Sequence, residues 1–174
     1  MAHPATRRSH KALLVLALAL VFTACRVSYS FTGADIPKDA RTVSIDLFDA
    51  RAPLASPRVA QVFTETLRDL MQAQTPLNLT GSDGDVQYAG EIVGYDVQPV
   101  NIQSNETAAL NRLTMTVKVR YVNTLDTDKN SESTFSRFAD YDSGQDLTSV
   151  EETLVREISD QLVQDIFDRT LGSW

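Results

Sequence analysis

The sequence predicts an α+β fold, a two-layer sandwich in which two amphipathic helices cover one face of a mostly antiparallel sheet of about four strands. Three observations predict it. Short segments alternate apolar and polar residues with period two, as half-buried strands do. Two longer segments carry apolar residues at helical spacing, each behind a helix-start signal. Their order is β-α-β-β-β-α, with room for one more strand before the second helix.

The first strand is Arg41 to Phe48, with Val43, Ile45 and Leu47 on one face and Thr42, Ser44 and Asp46 on the other. Ser56-Pro57 then starts a helix: serine caps the free N–H groups, and proline is tolerated at the first helical position. Val59, Val62, Phe63, Leu67, Leu70 and Met71 form its apolar stripe, which stops before Pro76. Leu77 and Leu79 begin a second strand, and Ser82 to Asp85 is a turn. Val86, Tyr88 and Ile92 continue as a strand interrupted by Gly90 and Gly94, which mark a bulge or a close approach. A long loop from Gln98 to Asn111 follows. Then Leu113, Met115, Val117, Val119 and Tyr121 alternate with Arg112, Thr114, Thr116, Lys118 and Arg120. Residues 125–130 are a hairpin turn, and Ser133 to Tyr141 returns as a further strand. Ser149 and Glu152 have capping-box spacing ahead of a wide stripe from Val150 to Leu171, ended by Gly172.

The N-terminus reads as an export signal. Arg7, Arg8 and Lys11 precede an apolar run from Ala12 to Phe22, and small residues lead to Cys25, the only cysteine. Eleven apolar residues are too few to cross a hydrocarbon core of about 30 Å, which takes about 20. Val-Phe-Thr-Ala-Cys resembles a lipobox, with Phe22 where leucine is usual. The expected organisation is a removed signal peptide at 1–24, a lipidated tether at 25–39 whose Tyr29 and Phe31 can dock, and one domain at 40–174. Losing Arg7, Arg8 and Lys11 takes the formal charge from −7 to −10 and the length from 174 to 150 residues. That size sustains a core without metal or disulfide. The acidic balance argues against nucleic acid and against a general attraction to anionic lipid. Acyl chains such as palmitate on Cys25 are the expected membrane attachment.

Both histidines, His3 and His10, lie in the signal segment. The mature domain therefore lacks the residues of Ser-His-Asp and Cys-His machinery and of ordinary zinc sites, and neither a cofactor nor a metal is expected. Asp83/Asp85 and Asp126/Asp128 read as turn residues. The run Asp140-Tyr141-Asp142-Ser143-Gly144-Gln145-Asp146 superficially resembles a calcium loop. Gly144 stands where the third acidic ligand belongs and Gln145 where the glycine belongs, so a loop into a helix N-terminus is the better reading. A glycosidase cleft has no support in a chain with one tryptophan, at its terminus. Arg112, Lys118 and Arg120 share one strand face and are candidates for the phosphates or carboxylates of a glycolipid such as lipopolysaccharide; the plainer reading is a solvated face whose charges pair with acidic neighbours or blunt an edge. Asn105, Glu106 and Leu110 lie in the long loop and are candidates for a partner contact, against a plain packing role for Leu110.

Five segments carry a family resemblance: CRVSYSFTGADIP, RAPLASPRVAQVFTETLRDL, NETAALNRLTMTVKVRY, FSRFADYDS and VEETLVREISDQLVQDIF with the terminal tryptophan. In this order they resemble a divergent branch of the LptE lipopolysaccharide-assembly lipoproteins, from Cys25 to Trp174. The resemblance implies a four-stranded sheet with two helices. It further implies a place in the outer membrane facing the periplasm, and a role as plug and assembly partner of the β-barrel LptD in delivering lipopolysaccharide. It brings no catalytic residue. The family's basic lipopolysaccharide contacts fall in segments that do not align, so Arg112, Lys118 and Arg120 rest on the residue pattern alone. Arg26 is not the aspartate that retains lipoproteins at the inner membrane, which favours outer-membrane sorting. The alternatives are a stand-alone periplasm-facing lipoprotein that binds a glycolipid or other envelope ligand, and, more remotely, a carboxylate-dependent hydrolase.

Overall fold

The computed structural model describes residues 36–100 and 109–172. Strands β1 (Thr42–Ile45) and β2 (Asp49–Ala50) precede helix α1 (Pro57–Gln74). Strands β3 (Asn78–Thr80), β4 (Val86–Val100), β5 (Leu110–Asn123) and β6 (Ser131–Asp142) follow, and helix α2 (Leu147–Leu171) ends the domain. One sheet holds all six strands in the order β3-β1-β4-β5-β6, with β2 also paired to β4.

The sheet is mixed rather than mostly antiparallel and four-stranded. β1 runs parallel to both β3 and β4, and β2 runs parallel to β4, while β4, β5 and β6 form an antiparallel meander. The physical reason lies in the connections. A strand–helix–strand crossover returns the chain in its original direction, so α1 sets β3 parallel to β1. Residues 81–85 then cross β1 to reach its other side.

Glycine makes that crossing possible. The Gly84 N–H donates to Ser44 Oγ at 3.2 Å, and a Cβ at position 84 would lie 2.5 Å from the Ser44 nitrogen and 2.8 Å from the Val43 carbonyl carbon. Asp83, just before it, adopts φ 56°, the one positive-φ non-glycine conformation among the described residues. Asp85, which sequence places in a turn, caps a distant strand. Its Oδ2 accepts from the Arg41 and Thr42 amides at 2.9 and 3.0 Å and from the Thr42 hydroxyl at 2.8 Å. These donors hold its carboxyl below the usual aspartate value.

β1 is shorter than its alternation predicts. Leu47, expected in the core, is 63% exposed, whereas Phe48 is 1% exposed. The Phe48 N–H donates to the buried Thr64 Oγ1 of α1 at 3.1 Å, and its ring meets Phe63 edge-on at 4.9 Å. Phe48 also explains Gly90, where a Cβ would fall 2.6 Å from the Phe48 ring and 2.2 Å from the Lys118 carbonyl oxygen. The expected bulge is present as well, between Ile92 and Gly94.

The helices share the core face of the sheet. Val59, Phe63, Leu67 and Met71 of α1, with Leu154, Ile158, Leu162 and Ile166 of α2, are buried with Tyr88, Ile92, Leu113, Met115, Val117 and Val119. Polar links pin the two layers. Tyr88 Oη bonds Thr170 Oγ1 at 2.7 Å, Tyr95 Oη donates to Glu151 at 2.7 Å, and Arg68 Nη2 donates to the Ile45 carbonyl at 2.7 Å. Burial pushes the hydroxyl pKa of Tyr88 and of Tyr95 up.

Helix α1 begins at the predicted cap, with Ser56 Oγ accepting from the Val59 amide at 3.4 Å. Helix α2 begins earlier than the Ser149 capping box implies. Asp146 is the N-cap, accepting from the Thr148 amide at 3.1 Å and its hydroxyl at 2.7 Å, while Ser149 Oγ donates to the Asp146 carbonyl. An ionised carboxylate at this terminus also meets the positive end of the helix dipole. Both ends of the loop predicted from Gln98 to Asn111 are strand, because β4 runs on to Val100 and β5 begins at Leu110.

Candidate functional site

Alternation on β5 puts Arg112, Thr114, Thr116, Lys118 and Arg120 on the face away from the helices, as the sequence predicts. Antiparallel pairing sets them against Asp140, Phe138, Ser136, Thr134 and Glu132 of β6, respectively. Directly opposed side chains on one sheet face lie close enough to interact, and here they do.

Arg112 is doubly engaged. Its Nε and Nη2 donate to Asp140 Oδ1 and Oδ2 at 2.7 and 2.8 Å, and its guanidinium carbon lies 3.6 Å from the Phe138 ring centroid. Asp140 holds the Arg112 pKa up, and Arg112 holds the Asp140 carboxyl down. Lys118 Nζ lies 2.7 Å from Glu132 Oε1, which likewise raises the lysine pKa. The hydroxyls of Thr116 and Ser136 meet at 2.9 Å between the two ion pairs. Two of the three cations on this face are thus paired with β6 carboxylates.

Arg120 differs. It is exposed and makes no ion pair among the described residues. It borders a hollow of about 390 Å³ with Asp46, Leu47, Asp49, Ala89, Glu91, Lys118 and Glu132. A smaller hollow of about 150 Å³ beside it adds Asp83 and Gln87. The larger one lies where β1 gives way to β2, beside Ala89 and Gly90 of β4. Sequence reasoning found Arg120 but missed Leu47, since a strict alternation continued through Leu47 assigns it to the core.

The other sequence candidates divide. Leu110 is half-buried as the first residue of β5, opposite Asp142 and Val100. Cys25, Asn105 and Glu106 lie outside the described residues, as do the signal segment and Trp174. The carboxylates of the calcium-like run work separately. Asp140 pairs with Arg112, Asp142 Oδ1 accepts from the Gly144 amide at 2.7 Å, and Asp146 caps α2. Among the described residues no helix is long and apolar enough to cross a membrane.

A family model described as LptE, lipopolysaccharide-assembly, matches residues 40–170. The chain belongs to the LptE family. The match spans both helices and all six strands, so the sheet and its two-helix cover are the family domain. A comparison with curated proteins finds no match. Among solved structures, this LptE-family chain is similar to a minor lipoprotein from Acinetobacter baumannii, at 15% identity and TM-score 0.48, covering 75% of this chain and 91% of that one. It is also similar to lipoprotein B from Nitrosomonas europaea, at 16% identity and TM-score 0.46, covering 82% and 88%. A putative neuraminyllactose-binding hemagglutinin homolog from Helicobacter pylori follows at 8% identity and TM-score 0.50, covering 81% and 91%. Of the three, the last alone reaches 0.50, and at that identity it bears on the fold only.

Proposed function

We propose that this LptE-family chain is an outer-membrane lipoprotein, anchored through Cys25 and facing the periplasm, that serves as plug and assembly partner of an LptD-type β-barrel in lipopolysaccharide insertion. The observation that carries this reading is the family match over residues 40–170. The chemistry of the domain supports it. Its mature sequence has no histidine and no cysteine beyond the anchor, and Asp85, Asp140 and Asp146 are engaged at a strand start, in an ion pair and at a helix cap. A plug needs a stiff core, a tether and a complementary surface, and no catalytic group, so the chain acts without enzymatic turnover. Cleavage before Cys25 and a tether to residue 39 belong to the same proposal.

Direct contact with lipopolysaccharide, if made on this face, falls chiefly on Arg120. A phosphate reaching Arg112 must displace a bidentate aspartate, and one reaching Lys118 must displace Glu132. Arg120 makes no ion pair among the described residues, although Asp46, Asp49, Glu91 and Glu132 line its larger hollow and Asp83 the smaller one. Asn105, Glu106 and Leu110, in the sequence between β4 and the start of β5, are the proposed barrel contact.

Crosslinking in intact membranes followed by pull-down of the tagged chain tests the reading. Recovery of a large β-barrel in stable complex is expected. A tagged, lipidated chain that never brings down such a barrel would sink the plug assignment and leave the stand-alone glycolipid-binding alternative.

A further inference from the structure

β6 is a terminal strand of the sheet, and among the described residues its one strand neighbour is β5. Twelve residue pairs join them, from Tyr121 and Ser131 to Leu110 and Asp142, without a register shift. No proline interrupts the strand. The opposite edge, β3, has three residues. Natural sheets blunt long edges by shortening, bulging, inserting proline or placing charges on the strand, because an open edge is a template for another strand. β6 is neither short, bulged nor broken by proline. Its charges at Arg137, Glu132 and Asp140 are paired within the domain: Arg137 on the helix side with Asp165 at 2.6 and 2.7 Å, and Glu132 and Asp140 on the outer side with Lys118 and Arg112. Alternate residues turn backbone N–H and C=O groups away from β5.

The side chains specify what kind of strand fits. Across the outer face, cations of β5 are followed by anions of β6, with Arg112 bonded to Asp140 and Lys118 to Glu132. A further row would continue this alternation with cations at the two ends. Between them stand uncharged Thr134, Ser136 and Phe138, the last 45% exposed. A second copy fits poorly. In the two longest antiparallel registers that keep both copies' helices on one side, Glu132 faces either Asp140 or Asp142 of the other copy, and like charges directly opposed destabilise a pair.

We propose that the β6 edge is a strand-addition site for an extended segment of a partner protein, with basic residues facing Glu132 and Asp140 and uncharged, partly apolar residues between them. Main-chain hydrogen bonds supply the affinity, and the alternate side chains supply the selection. The site stands independently of the barrel partnership and of lipopolysaccharide contact.

The test uses the mature lipidated protein in detergent and two synthetic peptides, Lys-Val-Thr-Val-Thr-Val-Thr-Val-Lys and the same strand with glutamate at both ends. Residue-resolved amide exchange is followed in β6, β3 and the helices. The basic peptide is expected to slow exchange at alternate β6 amides by about tenfold or more, leave β3 unchanged, and lose this effect as salt rises. The acidic peptide is expected to do nothing, a control that needs no protein variant. Glu132→Lys is expected to weaken the basic peptide and admit the acidic one. Equal protection by both peptides overturns the proposal, as does an absence of protection in β6. So does strong protection of those outward amides before any peptide is added: if it varies with protein concentration a second copy fills the edge, and if it does not the chain covers its own edge.

Discussion

At the β3 margin, three residues of edge strand lie beside a tightly packed and capped β1; at the β6 margin, twelve residues run uninterrupted with no further strand among the described residues. The β3 side holds a parallel strand set, a glycine on the β1 backbone, a carboxylate capping the start of β1, and Phe48 driven between sheet and α1. The β6 side is a regular meander whose helix-facing row buries Ala139 and Tyr141 and ties Arg137 to Asp165 of α2, while its outer row makes cross-strand ion pairs on a partly exposed face. The β3 side is held by close backbone packing and buried hydrogen bonds. The outer row of the β6 side is held by exchangeable polar contacts. Exposed ion pairs contribute little to folding, so this outer row can alter its contacts at small cost to the fold.

Four substitutions sharpen that contrast, from the largest expected effect to the smallest. Phe48→Ala empties a fully buried aromatic site against Phe63, Thr64 and Gly90, and should cost about 4 kcal/mol in urea unfolding. Gly84→Ala forces a methyl group into the backbone of β1. It should cost about 2 kcal/mol, with Ser44 amide exchange accelerated.

Asp85→Asn acts through pH. The folded-state carboxyl lies below its ordinary value of 3.8, so its contribution is complete above about pH 4 and is lost as the pH falls through the lowered value. The variant should be less stable at pH 7 and should show a flatter acid limb than the parent, measured as urea midpoint against pH. Lys118→Ala, on the open side, should move that midpoint least of the four. A Lys118→Ala loss as large as that of Gly84→Ala would break the contrast.

Much of the fold was legible because side-chain period reports which face is buried. The β5 alternation, the stripe of α1 and its Ser56 cap, and the Gly90 and Gly94 irregularities all read correctly. Strand direction was not legible, since alternation is the same for parallel and antiparallel neighbours. The crossing at residues 81–85 looks like any polar turn, and Asp85 acts on residues 43 and 44 positions away in sequence. Leu47 misled because a tertiary contact, the Phe48 amide to Thr64 of α1, outweighs the period. On the outer face, sequence gave the cations of β5. Which of them remains unpaired depends on the β6 register, and that became visible only in three dimensions.

The proposed role is tested most directly by depleting the chain in its native cell and quantifying lipopolysaccharide at the cell surface, with rescue by the wild-type chain or by Cys25→Ala. Depletion should strip newly made lipopolysaccharide from the surface and lower the assembled barrel. The wild-type chain should restore both, Cys25→Ala neither, and alanines at Asp140, Asp142 and Asp146 should leave rescue intact. Unchanged surface lipopolysaccharide after full depletion would contradict a role in lipopolysaccharide assembly.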